Sequence, residues 1–307
     1  MENRIQNGTW VTMITPFTED RQIDYAGVSQ LVNWYIQRGI DGIFAVCQSS
    51  EMFFLSLEER IRLAQAVLAC ADGRIPVVVS GHISEQLDEQ IEELTRMAQL
   101  HPAAVVLVTN RLAGPDESDD VWKKNAQLIL DKVPSNVPMG LYECPYPYKR
   151  LMSPELLRWC ADTGRFLFLK DTCCDLSQMR KKLDAAGGTP LRIFNANSAT
   201  CLDSLRMGCA GFCGVMLNFH PELYRWLCKD WDKDPEKASA LQNFATVASL
   251  IELQMYPVNA KYHLRLDGVE IGLVSRAKPF QQFGALACRE TQALYELWSG
   301  FRNQWGL

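Results

Sequence analysis

The sequence predicts a (β/α)8 TIM barrel of the α/β class, followed by a C-terminal helical extension. Three observations carry this. Eight short apolar runs alternate with amphipathic stretches. Most recur at intervals of roughly 25–35 residues, the length of one βα unit. The runs are nearly continuous in apolar residues, as strands of a parallel sheet covered on both faces must be.

The elements follow in order. Residues 9–15 (TWVTMIT) read as the first strand, ending at Pro16. Asp24 is placed to cap the next helix, with Val28, Leu31, Val32 and Tyr35 on one face. Residues 42–47 (GIFAVC) form the second strand. Ser56 and Glu59 have the spacing of a capping box, opening a helix whose expected apolar face is Leu57, Ile61, Ala64 and Leu68, with Val67 beside them. The remaining strands are 75–80, 103–109, 138–142, 166–170 (FLFLK), 191–196 and 210–215. Residues 1–229 are thus expected to form the barrel. Residues 230–307, helical in pattern and clearest over 238–253 and 286–301, are expected to pack on it. An open doubly wound sheet is the competing arrangement, but no G-x-G-x-x-G follows the first strand.

Composition narrows the function. The chain has 307 residues, 48% apolar and 22% charged, with 31 basic and 36 acidic residues for a net charge of -5. No basic stripe suggests nucleic acid, and no apolar run reaches the ~18 residues of a membrane span. Residues 1–8 are polar, without the apolar core of a secretory signal, so a cytoplasmic location is expected. The 11 cysteines lack zinc spacing and read as reduced, mostly buried small hydrophobes. No metal is expected.

Function in such barrels lies at the C-terminal strand ends. Lys170 ends the apolar run FLFLK of strand six. Partial desolvation there disfavours the ammonium form, and a neutral amine is the nucleophile that attacks a ketone. The alternative is a lysine snorkelling from a strand end. Tyr142 ends the neighbouring strand five, where a phenol beside such a lysine can pass protons; otherwise it is an ordinary rim tyrosine. Strand two runs into Cys47-Gln48-Ser49-Ser50-Glu51, whose donors suit a carboxylate, or form a simple polar loop. Cys213 near the end of strand eight joins the binding candidates. His82 after strand three is a further one, although a lone histidine is more often structural.

These segments resemble, in order along almost the whole chain, the dihydrodipicolinate synthase/N-acetylneuraminate lyase family of class I aldolases. Gly8-Thr9 through Thr15-Pro16-Phe17 is similar to its opening segment, and Gly39-Ile40-Asp41-Gly42-Ile43 to its second-strand motif. The 47–51 loop lies where the family has G-T/S-T-G-E. Tyr142 with Pro145 resembles its Y-x-x-P motif, and Lys170-Asp171-Thr172 its K-D/E-T/S motif. The resemblance implies Lys170 as the Schiff-base lysine, Tyr142 as proton shuttle, and Gln48 and Ser49 at the positions that bind a pyruvyl carboxylate. It places Asn195 and Asn197 where lyases hold polar groups of the second substrate. It further implies no cofactor beyond the covalent imine, and a homo-oligomer, dimer or tetramer.

The departures shape the expected reaction. Cys47 and Ser50 stand at the loop's family glycines, and Gln48 replaces a hydroxyl residue. Asn110-Arg111-Leu112 lacks the synthases' tyrosine, and Pro147 stands where they place an arginine; Arg150 substitutes only if its loop bends back, and Arg111 is a second candidate for the site. The expected function is therefore a lyase or aldolase that makes or breaks a C–C bond beside a pyruvate-like 2-oxo acid, with an aldehyde or sugar acid as the other substrate. The alternatives are dihydrodipicolinate synthase itself and a non-catalytic 2-oxo-acid binder.

Overall fold

The computed structural model describes residues 5–307, so residues 1–4 of the polar opening segment lie outside the described residues. Strands β1 (Gly8–Thr12), β2 (Gly42–Ala45), β3 (Val77–Val79), β4 (Ala104–Val108), β5 (Met139–Tyr142), β6 (Phe166–Asp171), β7 (Arg192–Asn195) and β8 (Gly211–Phe212) form a closed barrel in chain order. The pairing is parallel throughout, and β8 returns to β1. At that seam the backbones approach so closely that a Cβ on Gly211 would lie 1.8 Å from the Gly8 carbonyl oxygen. All eight strand segments read from the sequence are present. Most are shorter than read, because the apolar character runs past the last ladder bond into the rim loops.

Around them run α1 (Tyr25–Gln37), α2 (Leu57–Ala71), α3 (Leu87–Ala98), α4 (Asp119–Leu130), α5 (Pro154–Asp162), α6 (Leu176–Ala186), α7 (Cys201–Arg206) and α8 (Pro221–Asp230). The Asp24 cap forms, accepting from the Gly27 N–H at 3.0 Å. The Ser56–Glu59 capping box is reciprocal, at 2.9 and 3.2 Å. The buried face of α1 includes Val28, Leu31, Val32 and Tyr35 as expected. That of α2 is rotated: Arg60, Leu63, Ala64, Val67 and Ala71 are buried, whereas Leu57, Ile61 and Leu68 are only half-buried. Burying Arg60 is tolerated because its guanidinium meets Glu93 at 2.6 Å.

The chain ends in α9 (Pro235–Ala248), α10 (Val258–Leu266) and α11 (Ala285–Trp305). The single helix expected over 238–253 stops at Ala248 and continues as a 3-10 turn, Ser249–Leu253. Helix α10 escaped the sequence reading because its buried face mixes apolar residues with Asn259, Lys261 and His263, which blurs the 3.6-residue apolar period. An aromatic layer joins these helices to the barrel: Trp298 lies 4.9 Å from His220 and 5.5 Å from Phe244, and His263 lies 5.1 Å from Phe219. No helix among the described residues is long and apolar enough to cross a membrane, and all 11 cysteines are free.

The barrel interior is an aromatic plug. Phe168 touches Trp10, Phe44 and Phe194 at 5.4, 5.9 and 5.0 Å. This plug forms the floor beneath the C-terminal rim.

Candidate active site

Successive strand residues face opposite sides. Phe168 points into the plug, so Lys170, two residues on, points inward one layer higher. Tyr142 is paired with Lys170 in the β5/β6 register and packs edge-on against Phe44 at 5.5 Å. The two side chains meet: Lys170 Nζ sits 4.4 Å from the Tyr142 ring centroid. Lys170 is 5% and Tyr142 2% exposed, so both reach the cavity without opening to bulk solvent.

The Tyr142 hydroxyl donates to Gln48 Oε1 at 3.3 Å, and the Cys144 thiol donates to the same oxygen at 3.4 Å. Burial pushes the phenol well above its ordinary range, with the neighbouring thiols of Cys144, Cys47 and Cys213 adding to the effect. Tyr142 is therefore held as a protonated donor.

The loop after β2 brings Gln48 to this pair. It forms a 3-10 turn, Gln48–Ser50, bracketed by left-handed backbone at Val46 (φ 53°) and Glu51 (φ 61°). For β-branched Val46 that conformation is strained, a feature that concentrates at functional sites. Ser50 closes the turn: its hydroxyl accepts from the Cys47 N–H at 3.1 Å and donates to the Met13 carbonyl at 2.6 Å. Ser49 faces the cavity beside the Tyr256 phenol.

Glu51 had no assigned role at the sequence level. Its buried carboxylate accepts from the Ser275 hydroxyl at 2.9 Å, the N–H groups of Arg276 and Ala277 at 2.6 and 2.8 Å, and Lys261 Nζ at 3.2 Å. It therefore fastens the strap before α11 onto the site, and Ala277 and Lys278 of that strap line the cavity.

The cavity has a volume of about 690 Å³. Lys170, Tyr142, Gln48 and Ser49 line it with Phe53, Tyr146, Thr172 and Asn197; Glu252, Leu253, Gln254, Tyr256 and Pro257 supply a further wall. This last wall was missed in the sequence, because 252–257 straddles the end of the helix expected over 238–253 and carries no strand-end signal of its own. Glu252 is open to the cavity; partial desolvation raises its carboxyl, and the charge of Lys170 opposes this. Among the described residues no group of three or more His, Cys, Asp or Glu is arranged to hold a metal ion.

A family model described as the dihydrodipicolinate synthetase family matches residues 6–291. The chain belongs to that family. A 4-hydroxy-tetrahydrodipicolinate synthase of Shewanella piezotolerans is 26% identical over 276 residues, covering 89% of this chain and 90% of the relative. Among solved structures, YagE of E. coli, described as a prophage protein of the dihydrodipicolinic acid synthase family in complex with pyruvate, has a TM-score of 0.86 at 22% identity, covering 95% of this chain and 98% of that one. CdNal of Clostridium difficile in complex with mannosamine has a TM-score of 0.85 at 17% identity, covering 96% and 99%.

The other predicted positions divide between the cavity and its supports. Cys47 has φ -103° and Ser50 has no positive φ, so neither of the two loop positions that lack a glycine needs one for its backbone. Asn195 does not reach the cavity; its amide nitrogen donates to Thr200 O and Oγ1 and to Ser204 Oγ at 3.0–3.2 Å. Asn197 does line it, while its Oδ1 caps the following turn through the Thr200 N–H at 3.1 Å. His82 is fully buried away from the site: Nδ1 accepts from the Val108 N–H at 3.0 Å and Nε2 meets Gln90 Oε1 at 2.9 Å. Burial pushes it down to about 4, so it is a neutral structural ring. Cys213 is buried behind the lining, its thiol pushed up to about 12 by burial. Arg150 turns outward to the Gly114 and Glu117 carbonyls and Asp119. Arg111 stacks on Phe53 at 5.4 Å, just outside the cavity lining.

Proposed function

We propose that this protein is a class I lyase that forms a Schiff base between Lys170 and a pyruvate-like 2-oxo acid, and makes or breaks the C–C bond beside it. The observation that carries the reading is the Lys170 nitrogen held 4.4 Å over the Tyr142 ring at the base of the cavity. The unprotonated amine attacks the C2 ketone, giving a carbinolamine. Tyr142 gives its proton to the departing hydroxyl, which leaves as water. The phenolate left on Tyr142 takes the proton of the C4 hydroxyl as the protonated imine accepts the electron pair of the C3–C4 bond, which forms an enamine, releases an aldehyde and restores the phenol; addition runs the same steps in reverse. Gln48 Oε1 is occupied by Tyr142 and Cys144, so its amide N–H groups, with the Ser49 hydroxyl, are the donors for the substrate carboxylate. Pre-set donors and fixed orientation supply most of the rate.

The second substrate in this reading is an aldehyde or sugar acid. The synthase reaction is the second reading, favoured by the name of the Shewanella relative and disfavoured by Arg150, which is committed to Asp119 at 2.9 Å. Cytoplasmic residence and a dimeric or tetrameric assembly belong to the same proposal.

Incubation with pyruvate, reduction with borohydride and mass measurement test it. The expected result is a covalent gain that disappears in Lys170→Ala. No gain with any small 2-oxo acid sinks the imine. Turnover with a panel of aldehydes and sugar acids separates an enzyme from a binder, and robust turnover of aspartate semialdehyde would favour the synthase.

A further inference from the structure

The alternation that turns Tyr142 and Lys170 into the barrel turns the residues after them, Glu143 and Asp171, outward toward α6. Both carboxylates meet one ammonium there, Lys182 Nζ, at 2.5 Å each, with all three side chains 0–2% exposed. Glu143 also accepts from the N–H groups of Met152 at 2.8 Å and Thr172 at 3.0 Å, and Asp171 from the Cys173 N–H at 3.0 Å. The Thr172 hydroxyl donates to the Glu143 carbonyl at 2.6 Å. The cluster thus binds the segments that leave β5 and β6 to each other and to α6, one residue beyond the reacting pair. None of the three lines the cavity.

A second observation gives this a purpose. The β5/β6 ladder is irregular lower down: Met139 pairs with Phe166, but Gly140 pairs with Phe168. A one-residue slip moves every side chain to the opposite face, and here it would turn Tyr142 away from Lys170. An ion cluster this deeply buried is a poor stabiliser compared with apolar packing, and its best-attested use is to specify register.

We propose that Lys182, with Glu143 and Asp171, is a positioning unit that locks β5 against β6 so that Lys170 stays over Tyr142. The proposal rests on Lys170 being the imine-forming amine. The unit also responds to pH. Burial and the charge of Asp171 on β6 raise Glu143 to about 7, against the opposing charge of Lys182 on α6. Cys173, beside Asp171, is the other titratable neighbour, and its thiol is pushed up to about 12. Near neutrality the cluster passes between a balanced and a net negative state.

The test follows Lys182→Met and Glu143→Gln through two readouts: the rate of pyruvate–borohydride trapping, and the rate at which acetic anhydride labels Lys170, read by peptide mass spectrometry, each from pH 6 to 9. Lys182→Met is expected to slow trapping by about a hundredfold, the cost of misplacing a reacting group by roughly 1 Å, and to change Lys170 labelling. Glu143→Gln is expected to trap at the parent's rate at pH 6 and to lose the parent's inflection near neutrality. Parental rates in folded Lys182→Met, together with an unchanged pH profile in Glu143→Gln, overturn the proposal. If Lys182→Met does not fold, Lys182→Gln, which keeps a donor between the two carboxylates but removes the charge, is read by the same trapping and labelling rates, and parental rates there overturn the proposal. If the parent traps no 2-oxo acid, the proposed reaction fails, while labelling of Lys170 still reads the positioning.

Discussion

Acid should unfold this protein through its buried histidines, and His263→Phe isolates the effect. His263 and His220 are 1% and 0% exposed, and neither ring nitrogen of either has a hydrogen-bond partner. The two rings lie 5.5 Å apart and perpendicular, within the aromatic layer that docks the last helices. Burial pushes His263 down to about 3, and burial with the neighbouring His263 drives His220 well below its ordinary range. The unfolded chain binds protons at these rings from about pH 6.5 downward, the folded chain only far lower. Their stabilising contribution is therefore complete above about 6.5 and is lost progressively as pH falls toward the folded value. At pH 5 the loss is about 2 kcal/mol for the His263 ring, with His220 contributing in the same direction, against a total stability of roughly 5–15 kcal/mol. Glu143 acts with the opposite sign: its raised carboxyl gives stability that is present below about 4.5 and is lost as pH rises through about 7. That term is common to parent and variant, so it cancels in their difference. Urea unfolding followed by tryptophan fluorescence at pH 8 and pH 5 is the assay. In His263→Phe the stability lost between these pH values should be smaller than the parent's by about 2 kcal/mol. An unchanged loss, or a His263 resonance titrating near 6.5 in the folded protein by NMR, refutes the reasoning.

Three other outcomes follow from the geometry. Tyr142→Phe removes the proton donor but keeps the ring under Lys170, and should slow imine trapping by about a hundredfold or more with little change in pyruvate affinity measured by calorimetry. Glu51→Gln leaves the Lys261 ammonium buried without its counter-charge, which should cost about 3–5 kcal/mol in chemical denaturation and loosen the 274–278 strap in hydrogen exchange. Gly211→Ala puts a methyl group 1.8 Å from the Gly8 carbonyl oxygen, and should open the barrel seam, lowering the melting temperature far more than Gly73→Ala, where nothing lies within 4 Å of the added carbon.

The strands were legible because a parallel barrel buries both faces of each one, which leaves an apolar run that few other structures require. Lys170 and Tyr142 were legible because a charged or phenolic side chain at the end of such a run has only the rim to occupy. Ser50 and Asn195 looked like binding groups but close their own loops, and His82 is consumed by Gln90 and the Val108 N–H. A polar side chain near a rim is as readily used to satisfy backbone and buried partners, and the choice depends on neighbours that are distant in the chain. Glu51 shows the distance involved: its partners Ser275 and Arg276 are 224 and 225 residues away.

By itself the sequence determined the barrel, the order of its strands, the helix caps at Asp24 and Ser56, and the lysine and tyrosine on adjoining strand ends. These follow from local periodicity and from short spacings along the chain. Tertiary structure decided that the chain's last third walls the cavity, that Glu51 fastens it there, and that Glu143, Asp171 and Lys182 share one buried site. Those groupings rest on which way each strand residue faces and on what is brought against it when the barrel closes, and close approach in space between remote segments leaves no period in a single sequence.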